Sequence, residues 1–292
     1  MTLEEHPTHY HSRTDRRRAE RARRHRRKRT IKLTAAISLS VVFLAAAGWF
    51  GWKIYNDRKK ASNPREYKVI VPEGLDIKQT ADKVDDQCRI SAGDFTNAVK
   101  EGDYAYDFLK DANGNLEGFL FPKTYTVTEK TSARGLMDMM LAQYQEEMKG
   151  LDWTRAATRG MSPYQTLIIA SLIEKEAKLP EERPVIASVI YNRLKAGMKL
   201  QIDATVQYAL GKWKQALSYD DLQVDSPYNT YRIDGLPPAP ICSPGFESIR
   251  AALYPASTSY IYYLLTSPEG KHSFTNDYQQ FLKWKEEQGK KG

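Results

Sequence analysis

The chain has 292 residues and a formal net charge of +8 at pH 7, and all of this excess lies in residues 1–32, which hold 12 basic and 4 acidic side chains. The rest of the chain holds 32 of each, with one histidine, His272, and two cysteines, Cys88 and Cys242. A neutral body argues against a globular nucleic-acid-binding domain, and so few histidines and cysteines argue against a His-rich or Cys-rich metal site.

The N-terminal segment is strongly basic, with ten Lys or Arg residues between Arg16 and Arg29. Like charges at this density repel one another and bury no core, which predicts a disordered tail over residues 1–32. Such a run is also typical of nucleic-acid contacts or of a localisation signal when it stands alone. Here an apolar segment follows it directly, which favours a role at a membrane.

This apolar segment runs from Leu33 to Trp52 without a charge. Twenty helical residues extend about 30 Å, the thickness of a bilayer core, which predicts a single transmembrane helix over residues 33–55. The basic excess before it predicts a cytoplasmic N-terminus lying against anionic lipid, with the body of the chain outside the cytoplasmic membrane. A cleaved signal peptide is the alternative, since the three alanines at 45–47 resemble a cleavage site.

A polar linker is predicted at residues 56–65, and a small module at residues 66–112. The elements of the module are expected at Tyr67–Val71 (strand), Ile77–Val84 (helix) and from Ser91 or Ala92 to Lys100 (helix). A strand followed by two short helices is the outline of a sugar-binding module of LysM type. A structural spacer is the alternative, because many small α+β segments share this outline.

Residues 113–292 predict a mixed α+β domain, so the part of the chain after the apolar segment belongs to the α+β class. Its elements are expected at Lys123–Thr128 (strand), Ala133–Met148 (helix), from Ser162 (helix) and at Pro184–Ala196 (helix, stopped by Gly197). Hydrophobic residues make up 41% of the chain, which is enough for one sizeable core.

One helix of this domain carries a carboxylate among apolar residues. Ser162 and Gln165 have the spacing of a capping box, which predicts the helix start. Further along, Glu176 falls on a face formed by four apolar residues: Ile168, Ile169, Leu172 and Ile173. Glu174 is expected to point the opposite way, where it can pair with Lys178.

A carboxylate on an apolar face needs an explanation, because burying a charge is costly. Either Glu176 lines a cleft, where desolvation raises its pKa and suits it to general-acid chemistry, or it forms a buried ion pair with Arg183 or Arg193. The spacing alone leaves both interpretations open.

The segments after this helix combine rigid Pro turns with Gln, Asn, Thr and Tyr. They read LQIDATVQY from Leu200, SPYNTY from Ser226 and GLPPAPICSPG from Gly235. Amides suit sugar hydroxyls and aromatic rings suit sugar faces, which indicates a carbohydrate site; an ordinary Tyr-rich surface has the same composition. His272 is expected at a strand end bordering the cleft, in a structural hydrogen bond rather than in acid–base chemistry.

The motifs IASLIEKEA, VIYNRL, LQIDATVQY, SPYNTY, GLPPAPICSPG and HSFTND follow one another between Glu117 and Trp284. This series resembles the endolytic murein transglycosylases (MltG-type, YceG-like). The resemblance implies a lysozyme-like helix bearing the catalytic acid, which is the second Glu of the E-K-E triplet and therefore Glu176. It also implies seven substrate-binding residues in the loops: Gln201, Asp203, Thr205, Tyr228, Asn229, Thr230 and Tyr231.

The resemblance implies a lytic transglycosylase that cleaves peptidoglycan on the outer face of the cytoplasmic membrane without a metal or cofactor. Protonated Glu176 would donate to the glycosidic oxygen between MurNAc and GlcNAc. It would then accept the proton of the MurNAc 6-hydroxyl as that oxygen attacks C1, giving a 1,6-anhydro end. Peptidoglycan synthases are the protein partners that the resemblance implies. Family members usually have a longer, two-part LysM-resembling region, whereas this chain has room for one module.

Three alternatives belong to other functional classes. Asp203 as a second carboxylate would give a hydrolytic muramidase. The chain could instead be a membrane-anchored glycan-binding scaffold without turnover, or bind nucleic acid through its basic tail. A disulfide between Cys88 and Cys242 is open to an exported chain, although the two are expected in different domains.

Overall fold

The structure is a computed structural model that describes residues 13–62 and 64–289, and its contacts divide the chain into two units, residues 1–64 and 65–292. The first unit contains helix α1 (Arg13–Ser62). Between Arg23 and Asp57 this helix is long and apolar enough to cross a membrane, a property that membrane spans share with signal sequences.

The helix α1 also includes most of the basic segment. The sequence predicts disorder over residues 1–32, but the chain is helical from Arg13 onwards, and residues 1–12 lie outside the described residues. Arg and Lys are good helix formers, and the apolar segment continues the same helix. The expected linker at residues 56–65 is likewise helical as far as Ser62.

The second unit begins with a strand, two helices and a second strand: β1 (Glu66–Ile70), α2 (Ile77–Gln87), α3 (Ala92–Glu101) and β2 (Thr124–Thr128). The strands pair antiparallel, with Glu66 opposite Thr128 and Ile70 opposite Thr124. They therefore lie on either side of residue 112, where the sequence suggested a domain boundary. The apolar core also continues from this segment into the rest of the unit.

Local hydrogen bonds explain where the helices begin. Gln79 N–H donates to Asp76 Oδ1 at 2.7 Å, and Asp76 N–H donates to Gln79 Oε1 at 3.1 Å, which forms a capping box for α2. The capping box predicted from Ser162 and Gln165 is confirmed. Ser132 caps α4 (Ala133–Met148), whose predicted bounds are also confirmed.

Helix α6 (Pro163–Glu176) lies at the centre of the second unit. It packs against α7 (Arg183–Lys195) and α9 (Phe246–Leu253). All eight residues from Thr166 to Ile173 are buried, so the helix is buried all round rather than along one apolar face. Burial on all sides fixes the position of its C-terminal end, where Glu174 and Glu176 lie.

The C-terminal part is a hairpin covered by a helix. Strands β3 (Tyr262–Leu265) and β4 (His272–Thr275) pair antiparallel, and α10 (Tyr278–Gly289) packs against them. Two further short helices, α5 (Thr154–Ala157) and α8 (Asp203–Leu210), complete the α-helical elements of the described chain. The prediction of a mixed α+β fold with one long apolar N-terminal helix is confirmed.

One glycine is required by a close approach. Gly118 has φ = +89°, and a Cβ built on it would lie 2.7 Å from side-chain atoms of Pro240. Any other residue would be strained and would clash, so this contact between the 113–122 loop and the proline-rich loop depends on glycine.

Candidate active site

A cleft of about 560 Å³ lies where the end of α6, the start of α8, the β3–β4 hairpin and α10 come together. Its polar lining includes side chains from distant parts of the sequence: Glu176, Arg193, Gln201, Asp203, Tyr231, Tyr263 and His272. The volume falls in the range of pockets that hold small molecules.

Glu176 is the last residue of α6 and is half-buried at the cleft wall. The Tyr263 hydroxyl donates a hydrogen bond to its Oε2 at 2.9 Å. Burial raises the pKa of Glu176, and the nearby charge of Asp203 acts in the same direction, while the Tyr263 hydrogen bond and the neighbouring Lys178 oppose the rise. A carboxyl group with a raised pKa that faces a cleft is suited to donating a proton.

The two arginines that could have formed an ion pair with Glu176 have other partners. Arg183 lies against Glu174. Arg193 is 7% exposed, and its guanidinium donates to the backbone oxygens of Ile261 at 2.6 Å and Leu200 at 2.5 Å. The geometry therefore favours the cleft interpretation of Glu176 over the buried ion pair.

Glu174 takes the structural role instead, and the predicted pair with Lys178 is wrong. Its Oε2 accepts hydrogen bonds from Gly245 N–H at 3.1 Å and Ser248 Oγ at 2.6 Å, and its Oε1 lies 4.0 Å from Arg183 Nη2. Because α6 is buried all round, the side of the helix opposite Glu176 faces α9 rather than solvent. The two carboxylates of the E-K-E triplet thus have different surroundings.

His272 borders the cleft and is 8% exposed. Its Nδ1 lies 2.6 Å from Oε2 of the buried Glu182, and its backbone N–H donates to Glu182 Oε1 at 2.8 Å. The Tyr263 ring packs edge-on against the His272 ring, with 5.6 Å between centroids. The pair of His272 and Glu182 therefore supports the tyrosine that contacts Glu176.

Three of the seven predicted substrate-binding residues line the cleft together with Glu176: Gln201, Asp203 and Tyr231. Tyr231 donates a hydrogen bond from its hydroxyl to Asp203 Oδ1 at 2.5 Å. Gln201 has φ = +49°, and its N–H donates to the backbone oxygen of Thr230 at 3.1 Å. This conformation holds the exposed Gln201 side chain at the cleft.

The other four predicted residues lie behind the cleft. Thr205 and Thr230 are fully buried and hydrogen-bonded to each other at 2.9 Å. Asn229 is also buried, and its Nδ2 donates to the backbone oxygens of Leu222 and Val224. Tyr228 packs against the Tyr208 ring at 4.8 Å. These side chains hold the loops in shape and are not part of the cleft lining.

Tyr263 was not among the residues predicted from the sequence. It lies 87 residues beyond Glu176, in a strand whose neighbouring residue, Tyr262, is also a cleft tyrosine. Adjacent residues of a strand point to opposite faces, yet both rings border this cleft, Tyr263 against Glu176 and Tyr262 against Phe281 of α10. The pair of adjacent tyrosines therefore marks this strand in the sequence, but does not single out Tyr263.

Within residues 13–62 and 64–289, no group of three His, Cys, Asp or Glu side chains has the proximity needed to hold a metal ion. Cys88 and Cys242 are both free thiols, and burial raises the pKa of Cys242.

Comparisons with known proteins agree with this architecture. The chain matches the YceG-like family over residues 49–287. An endolytic murein transglycosylase from Bacillus subtilis (strain 168) is 38% identical over 241 residues, which cover 75% of this chain and 64% of that protein. An endolytic murein transglycosylase from Streptococcus pneumoniae (strain R6) is 36% identical over 176 residues, which cover 58% of this chain and 32% of that protein.

A solved structure has the same fold. The 2.6 Å crystal structure of a YceG-like protein from Listeria monocytogenes superposes with a TM-score of 0.68 at 35% identity, covering 74% of this chain and 75% of that chain. This chain spans less than two thirds of the length of the two transglycosylases above. Since the family match extends over most of its residues, the chain belongs to the YceG-like family.

Proposed function

We propose that this chain is a lytic transglycosylase that cleaves peptidoglycan glycan strands between MurNAc and GlcNAc. The observation that carries the proposal is Glu176, a carboxyl group with a raised pKa that faces a cleft at the end of a buried helix and has no arginine partner within the described residues. The name of the relatives, endolytic murein transglycosylase, supports the same activity here.

In this proposal Glu176 acts first as an acid and then as a base. Its proton goes to the glycosidic oxygen as the bond from that oxygen to C1 of MurNAc breaks. The MurNAc 6-hydroxyl then bonds to C1 and gives its proton to the Glu176 carboxylate, which restores the acid and leaves a 1,6-anhydro end. The Tyr263 hydroxyl orients the carboxyl group through its bond to Oε2, so that Oε1 is available to the substrate.

The test is mass spectrometry of glycan strands incubated with the full chain in detergent. We expect products with 1,6-anhydroMurNAc ends, and we expect Glu176→Gln to abolish them, because the amide cannot donate the acidic proton. Glu182→Gln is not a suitable control because Glu182 contacts His272, whereas Glu146→Gln, at an exposed position on α4, should leave the activity unchanged. Activity of Glu176→Gln equal to wild type would remove Glu176 from this role.

A hydrolytic muramidase is a second candidate, because Asp203 lies in the same cleft and influences the pKa of Glu176. Two carboxylates flanking the bond are the usual arrangement for hydrolysis. Hydrolysis would give products with reducing MurNAc ends, which are heavier than anhydro ends by one water, about 18 mass units. Such products would favour this alternative. The transglycosylase mechanism needs no attacking water, because the MurNAc 6-hydroxyl attacks C1. It therefore leaves Asp203 without a catalytic role, and the Tyr231 hydroxyl donates to Asp203 Oδ1 at 2.5 Å.

We further propose that α1 anchors the chain in the cytoplasmic membrane with its basic end in the cytoplasm. The apolar length of the helix and the basic excess before it support this orientation. A cysteine introduced near the N-terminus of a Cys88→Ser chain should be protected from an impermeant maleimide in intact cells, since Cys88 is itself a free thiol. Labelling of that cysteine in intact cells would contradict the orientation.

The segment from β1 to β2 is proposed to be a LysM-like glycan-binding module. Its order of strand, helix, helix and strand, with the two strands paired antiparallel, supports this. The test measures the affinity of Glu176→Gln protein for glycan strands before and after exposed side chains on α2 and α3 are replaced. An unchanged affinity would argue for a spacer.

Peptidoglycan synthases remain the protein partners to test, by pull-down from membranes.

A further inference from the structure

The cleft has two chemically different halves, and the proposed mechanism uses one of them. Glu176, Asp203 and Tyr231 belong to the acidic half. The other half comes from β3 and α10 and is here called the aromatic–basic wall. It consists of four side chains: Tyr262, Tyr278, Phe281 and Lys285.

Ring contacts hold the aromatic–basic wall together. The Tyr262 ring lies 5.4 Å from the Tyr278 ring and 5.1 Å from the Phe281 ring, measured between centroids. The Arg193 guanidinium lies 5.8 Å from the Tyr262 centroid, and Lys285 Nζ lies 5.7 Å from the Phe281 centroid. The wall is therefore a cluster of three rings in mutual contact, with a cation near each of two of them.

The two cations differ in what they can still bind. The buried Arg193 already donates to two backbone oxygens. Lys285 is exposed, and within residues 64–289 its ammonium group has a ring contact and no carboxylate partner. Tyr278 is 51% exposed at the same wall. An exposed ring beside an available cation fits a ligand that presents both an apolar surface and an anion.

A muramic acid residue presents this combination. Its sugar ring has an apolar face, and its lactyl group either ends in a carboxylate or continues into a peptide that carries carboxylates. We infer that the aromatic–basic wall binds this lactyl or peptidyl substituent, with Lys285 pairing with the carboxylate and Tyr278 covering the adjacent apolar surface. The inference rests on the proposed function, because it takes peptidoglycan as the substrate, and it gives the cleft a preference for muramic acid over unsubstituted sugar.

The test compares Lys285→Met with Lys285→Arg in the full chain in detergent. Lys283→Met is the matched control, because Lys283 is exposed on the same helix and does not line the cleft. Three substrates are used: strands with intact peptides, strands trimmed to the free lactyl carboxylate, and trimmed strands whose carboxylate has been converted to an amide.

We expect Lys285→Met to raise KM roughly ten-fold on a carboxylate-bearing strand, with kcat unchanged, through loss of one charge-assisted hydrogen bond. Lys285→Arg should retain most of the affinity, and Lys283→Met should behave as wild type. A loss confined to peptide-bearing strands identifies the peptide carboxylates as the ligand, and a loss confined to trimmed strands identifies the lactyl group. Wild type and Lys285→Met should be equal on amidated strands.

An equal loss on amidated strands, or no loss on either carboxylate-bearing strand, would overturn the inference. The same variants are also made in the Glu176→Gln background, where strand affinity is measured by equilibrium binding. If the proposed function is wrong, the wild type will give no 1,6-anhydro products. The ratio of strand affinities between Glu176→Gln and Glu176→Gln/Lys285→Met proteins still reports on the aromatic–basic wall in that case. The two failures are therefore distinguishable.

Discussion

Replacing Glu117 with glutamine should remove a large pH-dependent contribution to the stability of this chain. Glu117 is 3% exposed, and its Oε2 accepts hydrogen bonds from Ile77 N–H and the Tyr208 hydroxyl, each at 3.2 Å. Its Oε1 has no hydrogen-bond partner in the described part of the chain. Burial raises the pKa of Glu117 from 4.5 to about 8, with a smaller contribution from the charge of Asp76.

The magnitude follows from this pKa difference. Between pH 4.5 and pH 8 the folded chain holds a proton on Glu117 that the unfolded chain has released. The free energy of unfolding therefore falls as the pH rises through this window, by about 1.4 kcal/mol per pH unit and by on the order of 4–5 kcal/mol in total. Glutamine keeps the acceptor for both hydrogen bonds and does not titrate, so this contribution disappears in Glu117→Gln.

The assay is guanidinium unfolding of the full chain in detergent, followed by tryptophan fluorescence at pH 5, 6, 7 and 8. The stability of Glu117→Gln relative to wild type should increase by roughly 1 kcal/mol for each unit of pH. Glu101→Gln, at the exposed end of α3, is the control and should parallel the wild type. Parallel curves for wild type and Glu117→Gln would mean that Glu117 is ionised in the folded chain, and would refute the reasoning.

Three further predictions concern single residues. In Tyr263→Phe the Glu176 carboxylate loses a hydrogen bond that stabilises it, so the alkaline limb of the kcat/KM profile should move to higher pH; an unmoved limb would contradict this. Glu174→Ala should lower the free energy of unfolding by about 3 kcal/mol, because it leaves buried donors and an arginine unpaired, whereas Glu176→Gln should unfold near the wild-type midpoint. Gly118→Ala should cost roughly 2 kcal/mol or more in the same unfolding assay, and Gly114→Ala, which has a positive φ but open space, should cost less.

The parts of the fold that sequence could predict are those fixed by short-range hydrogen bonds. Ser162 and Gln165 lie three residues apart, and the side-chain oxygen of each accepts a hydrogen bond from the backbone N–H of the other, so the start of α6 can be recognised locally. The stop at Gly197 is similarly local, since its φ of +66° suits glycine. By contrast, the pairing of β1 with β2 joins segments more than 50 residues apart, and no local pattern specifies it.

The candidate site likewise contains residues that a local pattern can predict and residues that only the folded chain brings together. Glu176 was found because its position on the helix and the resemblance to a family point to the same residue. Thr205, Asn229 and Thr230 belong to the same loops, but hydroxyl and amide side chains serve equally well to bind a ligand or to satisfy buried backbone groups. Only the folded arrangement shows that these three are buried, and that Tyr263 contacts Glu176.

The position of Glu176 at the last residue of α6 has a consequence for the backbone as well as the side chains. The carbonyl groups at the C-terminal end of a helix carry a partial negative charge, which disfavours a nearby carboxylate by roughly 0.3–1 kcal/mol. This electric field of the fourteen-residue helix acts in the same direction as burial and favours the neutral acid. Part of the readiness of Glu176 to hold a proton is thus supplied by peptide groups, and no side-chain substitution in the cleft can remove it.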